Sequence, residues 1–303
     1  MIRTYTQGKL TWVDAMSPTS DEIRELLETY ELPLELLGDL GTAIPRSESV
    51  SLGKVIKITM NFPIVKRTDM THPHDVKFII TKNVLISVRY EDIEAIHRFQ
   101  KEFEVLTMLY KTKKGAHGSH LFFSLLRELY ISLDAKLDYL ESKLSDVKSE
   151  MMDGKEKETI FSISDISKRL ITFRQVIKAH DNIFMTVKKQ IAVCFSESLA
   201  EDLVGLHEQY FSLMRRTNAL FESVEEIRST HFALLTMKQN EIMKILTIMA
   251  FITFPLTLFT SMFGMNTVSA PIIGSPWDFW VIVGIMSVGT VCFFSFFKYK
   301  HWI

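Results

Sequence analysis

The sequence predicts an α+β cytosolic domain, followed by a long stalk helix and two C-terminal transmembrane helices. β-branched runs are concentrated early in the chain, a helical repeat of leucines follows them, and two uncharged apolar stretches lie near the C-terminus. These three observations place the α+β domain at residues 1–115, a helical region at 116–244 and the membrane region at 245–303.

The prediction of a sheet depends on residues that alternate between apolar and polar side chains. Positions 56–62 show this alternation, which is typical of a half-buried strand with a polar face formed by Lys57, Thr59 and Asn61. Two β-branched runs within residues 76–88 predict a hairpin. Ser20 is predicted to cap a helix that ends near Tyr30. Strands grouped in this way favour an α+β sheet over a dinucleotide-binding fold.

The helical region has a leucine stripe with spacings of three and four residues, which is typical of a helix-packing surface. Breaks are predicted at residues 151–155 and 195–197. The first stripe comprises Leu125, Leu129, Leu133, Leu137, Leu140 and Leu144. A second stripe comprises Leu203, Leu206, Tyr210, Leu213, Leu220, Val224 and Ile227. No stop signal follows the second stripe, so its helix is predicted to continue into the membrane.

Residues 245–263 and 279–297 contain no charged side chain. Each stretch would rise roughly 28 Å as a helix, close to the ~30 Å thickness of the hydrocarbon core. A buried helix of a soluble enzyme is the alternative for one such stretch, but two in succession, each flanked by cations, favour transmembrane helices. The lipid bilayer is therefore a predicted partner.

Cations set the predicted orientation. Lys238 and Lys244 precede the first span, Lys298 and Lys300 follow the second, and residues 264–277 between the spans contain neither Lys nor Arg. The positive-inside rule therefore predicts that both termini are cytoplasmic, in a multi-pass protein of the cell (inner or plasma) membrane. The N-terminal segment has no apolar region typical of a secretory signal.

Composition and motifs argue against several classes of function. With 35 Lys and Arg against 36 Asp and Glu, the net charge of −1 disfavours a nucleic-acid partner. The sequence has no phosphate-binding loop, dinucleotide fingerprint or zinc-protease motif, so we predict no enzyme activity, no organic cofactor and no ATP-driven transport. Cys194 has no recognisable His partner, and residues 72–75 (His-Pro-His-Asp) are interpreted as a plain loop.

The first span and its outer end carry a family resemblance. Residues 240–250 (NEIMKILTIMA), 254–259 (FPLTLF) and 263–266 (FGMN) strongly resemble the CorA family of magnesium channels. The Gly264-Met265-Asn266 triplet directly after the first of two C-terminal spans is the hallmark of that family. The resemblance implies a homopentamer whose first spans line a pore, with Mg²⁺ as both the transported and the regulatory ion.

The same residues form one helical stripe, because they advance by three or four positions. The stripe consists of Asn240, Met243, Leu246, Ala250, Phe254, Thr257, Ser261 and Gly264. Its inner half is apolar and its outer half is small and polar. These positions match those that line the pore in the family, although Phe254 stands where Met is familiar. Helix packing, or hydroxyls that bond back to their own helix, is the alternative interpretation.

The resemblance assigns ion selection to Gly264, Met265 and Asn266. Mg²⁺ sheds its water reluctantly, so a ring of Asn266 amides and Gly264 carbonyls is expected to accept hydrogen bonds from a hydrated ion. Rings of Met243, Leu246 and Phe254 would form an apolar constriction that blocks ions by dewetting. Asn266 has the alternative role of capping the helix end.

Two departures keep other functions open. The acidic loop with a Met-Pro-Glu-Leu motif that the family often carries is here the uncharged segment 267–276, so Asp278 alone is left near the mouth. The Gly-Met-Asn triplet, rather than the Gly-Val/Ile-Asn of zinc-transporting relatives, favours Mg²⁺. The alternatives are a Co²⁺, Ni²⁺ or Zn²⁺ transporter of the same family and a non-conducting, membrane-anchored helical scaffold or sensor.

Regulatory metal sites are expected where the α+β domain meets the stalk helix of a neighbouring subunit. Candidate ligands are Glu201, Asp202 and Glu208, together with Asp39 and Glu48. The alternative for each is an ordinary solvated carboxylate.

Overall fold

The computed structural model describes residues 1–41, 47–63, 74–109, 117–265, 274 and 276–300, without the side chains of 104–109 and 156. Two compact units divide the chain, Met1–Arg228 and Ser229–Ile303. The first contains a sheet and its covering helices, and the second contains two apolar helical segments.

Six strands form the sheet of the first unit. They are β1 (Ile2–Gln7), β2 (Leu10–Met16), β3 (Glu48–Leu52), β4 (Val55–Phe62), β5 (His74–Ile80) and β6 (Val84–Arg89). The spatial order is β1-β2-β6-β5-β4-β3, with β2 and β6 parallel and the other pairs antiparallel. The predicted β5–β6 hairpin is confirmed.

Nine helices are described. They are α1 (Ser20–Thr29), α2 (Leu36–Leu40), α3 (Glu94–Leu109), α4 (Gly118–Met152), α5 (Glu156–Lys178), α6 (His180–Cys194), α7 (Glu197–Glu201), α8 (Leu203–Phe263) and α9 (Asp278–Tyr299). Thr19, not the predicted Ser20, caps α1. Its hydroxyl accepts from the Glu22 amide at 3.2 Å, while its own amide donates to the Glu22 carboxylate at 2.8 Å. This reciprocal pair satisfies two amides at the helix start.

Both predicted breaks in the helical region are present, and one more was not predicted. Gly154 adopts φ +79°, a left-handed conformation that glycine tolerates, between α4 and α5. Ser196 caps α7. Between the two predicted breaks, the helix is interrupted at Ala179 and so divided into α5 and α6. Beyond α7, α8 runs without interruption through Phe263, as predicted.

The main core lies between one face of the sheet and the helices. Every residue of the two predicted stripes is buried, from Leu125 on α4 to Ile227 on α8. On the opposite face, α1 and α2 supply a smaller cluster around Ile23, Leu27 and Leu36. Burial on both faces explains why strands β4, β5 and β6 are nearly inaccessible along their length.

The prediction that β4 is half-buried with a polar, solvent-facing side is wrong. Lys57 is only 1% exposed, and its ammonium forms ion pairs with Asp39 on α2 and Glu48 on β3. Burial opposes the charge, but the hydrogen bonds to these two carboxylates outweigh it and raise the pKa of Lys57. On the second face, where solvent exposure was expected, Lys57 is buried and pairs with two partly exposed carboxylates.

A buried histidine links α4, α6 and the sheet. His180 is fully buried, and its Nδ1 lies 2.7 Å from the Tyr130 hydroxyl, while its Nε2 lies 2.8 Å from the Asn61 carbonyl. Burial lowers the pKa of His180 from 6.5 to about 4, although the bond to Asn61 opposes the shift. The ring is therefore neutral at physiological pH, and its Nε2–H donates to the carbonyl.

We predict that this histidine makes the stability of the first unit depend on pH. In the unfolded chain, His180 binds a proton below pH 6.5, whereas in the folded chain it stays neutral until about pH 4. Stability is therefore complete above pH 6.5 and falls as the pH drops towards 4, by about 3 kcal/mol at roughly 1.4 kcal/mol per pKa unit. In thermal unfolding followed by circular dichroism, the Tm of the parent should fall more steeply with pH than that of His180→Gln.

Tyr130→Phe is the matched control. It removes one hydrogen bond, at a cost of roughly 1 kcal/mol, and leaves the titrating ring in place. The Tyr130→Phe variant should therefore have a lower Tm but keep the pH slope of the parent. Parallel Tm profiles for the parent and His180→Gln would contradict the assignment.

Candidate pore helix and ion-binding residues

In the second unit, the apolar segments of α8 and α9 are left mostly uncovered by the described residues. Windows of 18 residues reach a mean hydropathy of 2.0 in α8, with 6% of that window buried, and 2.1 in α9, with none buried. A core helix of a soluble protein would be mostly covered, so this combination indicates membrane spans.

Within this unit, one face of α8 meets α9. Ile248 on α8 and Phe297 on α9 are 6% and 5% exposed, and the rings of Phe251 and Phe297 lie 6.4 Å apart between centroids. Half-buried side chains continue the covered face towards the C-terminal end of α8, at Ile252, Leu256, Phe259 and Phe263.

The predicted pore stripe lies on a different face of α8. Ala250 and Phe254 follow Ile248 and Ile252 by two positions, or about 200° around a helix that turns about 100° per residue. Met243, Leu246 and Phe254 are 55%, 54% and 72% exposed. Asn240, Thr257, Ser261 and Gly264 are also exposed, and Ala250 is half-buried. The stripe is therefore available to another molecule, and a role in lining a pore stays a prediction.

The hydroxyl groups of Thr253 and Thr257, in the C-terminal part of α8, are held by the helix backbone. Thr257 donates to the Thr253 carbonyl at 2.8 Å, and Thr253 donates to the Met249 carbonyl at 2.9 Å. Thr257 therefore does bond back to its own helix. This contact uses its only proton, so its oxygen can act towards the exposed side only as an acceptor. Water bound to a cation donates hydrogen bonds, so an acceptor suits a hydrated ion.

The predicted filter begins where α8 ends. The Gly264 amide donates to the Thr260 carbonyl at 2.9 Å, and the Met265 amide donates to Met262 at 3.4 Å. A Cβ added at Gly264 would approach the Thr260 carbonyl oxygen to 3.2 Å, so the turn after the helix is tight at this position. Asn266 lies outside the described residues, and its role in selectivity stays a prediction.

Asp278, the candidate cation collector, is fixed at the start of α9. Its carboxylate accepts from the Phe279 amide at 2.7 Å and from the Gly274 amide at 3.4 Å. A carboxylate near a helix N-terminus is favoured by the helix dipole. Residues 266–273 and 275, which include most of the uncharged loop, lie outside the described part of the chain.

The candidate regulatory carboxylates do not converge within one chain. Glu201, Asp202 and Glu208 are all exposed, and Asp202 lies 3.4 Å from Nε2 of His120. Asp39 and Glu48 lie together, but both bind the Lys57 ammonium. In the described ranges, no three His, Cys, Asp or Glu side chains form a group that could hold a metal ion.

Sequence reasoning missed the densest charged cluster of the stalk. Arg216 on α8 contacts Asp134, Asp138 and Glu141 on α4, with distances of 2.8 Å to Asp134 and 2.7 Å to Glu141. Hydrogen bonds to Glu141 and Asp138 raise the pKa of Arg216. The spacing of the three acids shows, in the sequence alone, that they share one face of α4. Their partner Arg216 could not be identified in this way, because it is distant in the sequence.

The remaining candidates have structural contacts. His74 lies 3.9 Å from Glu91, and His72 lies outside the described residues. The Cys194 sulfur lies 3.1 Å from the Ser51 hydroxyl and donates to the Gly53 carbonyl. These contacts attach the end of α6 to the edge of the sheet.

Comparison with known proteins gives consistent matches across the chain. A model of the family described as CorA-like Mg²⁺ transporter protein matches residues 7–299. The cobalt/magnesium transport protein CorA of Methanocaldococcus jannaschii is 23% identical over 302 residues, covering 99% of this chain and 93% of that protein. Its namesake in Thermotoga maritima is 20% identical over 310 residues, covering 99% of this chain and 88% of that protein.

A solved structure shares the fold along the whole chain. The complete structure of the CorA magnesium transporter from Methanocaldococcus jannaschii matches with a TM-score of 0.83 at 22% sequence identity, covering 99% of this chain and 94% of that chain. The soluble domain, the long helix and the two C-terminal apolar helices all have counterparts there. With a family model that matches nearly its full length, this chain belongs to the CorA-like Mg²⁺ transporter family.

Proposed function

We propose that this protein is a passive divalent-cation channel that carries Mg²⁺, assembled from several copies that each contribute α8 to one pore. The observation that carries the proposal is the exposed stripe on α8, which lies away from the face covered by α9 and leads to Gly264. Relatives named as cobalt/magnesium transport proteins support the choice of ion.

Two transmembrane helices cannot enclose a pore, so the pore must form between copies. The family resemblance suggests a homopentamer embedded in the cell membrane, with both termini in the cytoplasm. In such an assembly the exposed stripes would face a common axis. Lipid would then cover the outer surface, where the apolar faces of α9 remain exposed.

Selection is proposed to occur at the outer end of the pore, at Gly264, Met265 and Asn266. Neutral oxygens there would receive an ion that retains several waters, so no carboxylate is needed at membrane depth, where a charge is costly. The membrane potential would supply the driving force of ~2.3 kcal/mol per charge per 100 mV, and therefore about twice this for Mg²⁺.

Gating is proposed to combine an apolar constriction with cytosolic Mg²⁺ binding. Rings of Met243, Leu246 and Phe254 would block a narrow pore by dewetting. Glu201, Asp202 and Glu208 are exposed, so a neighbouring subunit could complete a metal site around them. Asp39 and Glu48 are weaker candidates, because both already pair with the Lys57 ammonium.

Two alternatives have specific support. The outer loop is uncharged where the family often has acids, and the bulky Phe254 stands where Met is familiar. Both departures favour a non-conducting scaffold or sensor. A neutral filter that holds hydrated ions separates Mg²⁺ from Co²⁺, Ni²⁺ or Zn²⁺ mainly by hydrated size, so transport of one of these ions is the second alternative. Dye-reported flux into proteoliposomes, with the four ions in parallel, distinguishes all three functions.

The first prediction that follows from the proposed function concerns assembly. Five copies of the 35.0-kDa chain should give a detergent-solubilised particle with a protein mass of about 175 kDa, measured by light scattering with the detergent contribution removed. A particle of one subunit would rule out a pore of this kind.

The second prediction concerns selection. Asn266→Ala should lower Mg²⁺ flux into proteoliposomes at least tenfold, because the ring loses acceptors for the waters of the ion, while the particle mass stays unchanged. Asn218→Ala, an exposed amide on the cytosolic part of α8, is the matched control and should conduct like the parent. Parent-like flux in Asn266→Ala would reject the filter assignment.

The third prediction concerns regulation. The double variant Glu201→Gln/Asp202→Asn should keep conducting at an internal Mg²⁺ concentration that closes the parent, because two metal ligands are lost. The control is Asp21→Asn/Glu25→Gln, which removes two exposed acids from α1. The half-inhibiting Mg²⁺ concentration, measured in vesicles loaded with graded Mg²⁺, should rise at least several-fold only in the first variant. Normal closure of that variant would exclude these ligands.

A further inference from the structure

A groove between α8 and α9 in the second unit is almost entirely apolar. Its volume is about 630 Å³, within the range of roughly 300–1,000 Å³ typical of small-molecule sites. The lining residues are Phe251, Gly289, Cys292, Phe293, Phe296 and Phe297.

The groove is open to the surroundings of the helix pair. Phe251 and Phe296 are 58% and 56% exposed, although they form its walls. A Cβ added at Gly289 would meet no atom within 4 Å, so the groove is open at this position on the surface of α9. A flexible hydrocarbon chain could therefore enter from the side.

Two lysines lie at one end of this groove. Lys300 is the first residue after α9, and its amide donates to the Phe296 carbonyl at 3.0 Å. It therefore continues the last helical turn, on the side of Phe296 and Gly289. Lys244 precedes Phe251 by seven residues and extends the groove side of α8 in the same way. Consecutive spans cross a membrane in opposite directions, so both ammonium groups lie at the same end. Neither forms an ion pair with a described residue.

The groove and the lysine beyond its end together span about one membrane leaflet. The eleven residues from Gly289 to Lys300 rise about 16 Å, and half of the hydrocarbon core is about 15 Å. We propose that this groove binds an acyl chain of an anionic phospholipid, whose phosphate is held by Lys244 and Lys300. In the proposed orientation the lipid belongs to the cytoplasmic leaflet, whose surface is negatively charged.

Charge favours a lipid over a second copy of this chain as the occupant. Copies in one membrane share the same orientation, so packing at this groove would bring further lysines to the same depth. Like charges would then meet near the hydrocarbon, where the dielectric constant is low. An anionic headgroup neutralises the two ammonium groups, and its acyl chain fills the apolar remainder.

Native mass spectrometry of the full-length protein in detergent, with added phosphatidylglycerol, tests the acyl-chain site. Gly289→Leu should retain several-fold less lipid than the parent, because its side chain fills the groove. Gly284→Leu is the matched control: it makes the same change on α9 outside the groove lining, where a Cβ also meets nothing within 4 Å. This variant should retain as much lipid as the parent.

The headgroup is tested by competition between phosphatidylglycerol and phosphatidylcholine. Lys300→Gln should lower the preference for phosphatidylglycerol several-fold. Lys298→Gln, which removes the same charge from the opposite side of α9, should leave most of that preference. Equal effects of the two substitutions would overturn the headgroup assignment.

The same spectra report subunit number. Undiminished lipid binding by Gly289→Leu would overturn the proposal. A change in the number of subunits in that variant would also overturn it, because the groove would then be an interface between copies. Loss of lipid at constant subunit number, in Gly289→Leu but not in Gly284→Leu, is the result that supports it.

Discussion

The division of α8 into two faces within the membrane unit is the constraint on which the functional interpretation depends. One face is covered by α9 through Ile248 and the ring contact between Phe251 and Phe297, and the other remains exposed from Met243 to Gly264. A bilayer core supplies no water for polar groups, so exposed hydroxyls such as that of Thr257 must be satisfied by their own helix or by a wet surface. The bond from Thr257 to Thr253 does the first and leaves an acceptor for the second.

Much of the fold could be predicted from the sequence because its elements bury strongly periodic apolar faces. The leucine stripe of α4, the stripe of α8 and the hairpin of β5 and β6 have such faces, and all are present. Strands β1 and β3 were not predicted, since edge strands are partly exposed and mostly lack an apolar alternation. The second buried face of β4 was misinterpreted as solvent-exposed. In a single sequence, a buried lysine that pairs with acids on other elements cannot be distinguished from a lysine that faces solvent.

The candidate site was predictable in outline for a different reason. Spacing alone placed Asn240 through Gly264 on one face of α8, and the family resemblance gave that face a meaning. The stripe itself is exposed, as a surface shared between copies would be. The proposed regulatory carboxylates have no comparable pattern, because ligands contributed by separate subunits would leave no spacing signal within one chain.

Ion pairs inside the first unit limit the number of carboxylates that are available to bind a regulatory cation. Lys57 forms ion pairs with Asp39 and Glu48, and Arg216 forms ion pairs with three acids of α4. These carboxylates therefore already have a cationic partner. A divalent ion would have to displace a resident ammonium or guanidinium to use them, which costs part of its binding free energy. Within the described residues, Glu201 and Glu208 are exposed and form no ion pair, and Asp202 pairs with His120 at 3.4 Å. In the gating that we propose, Mg²⁺ would therefore bind at the α7–α8 junction before it disturbs either internal cluster.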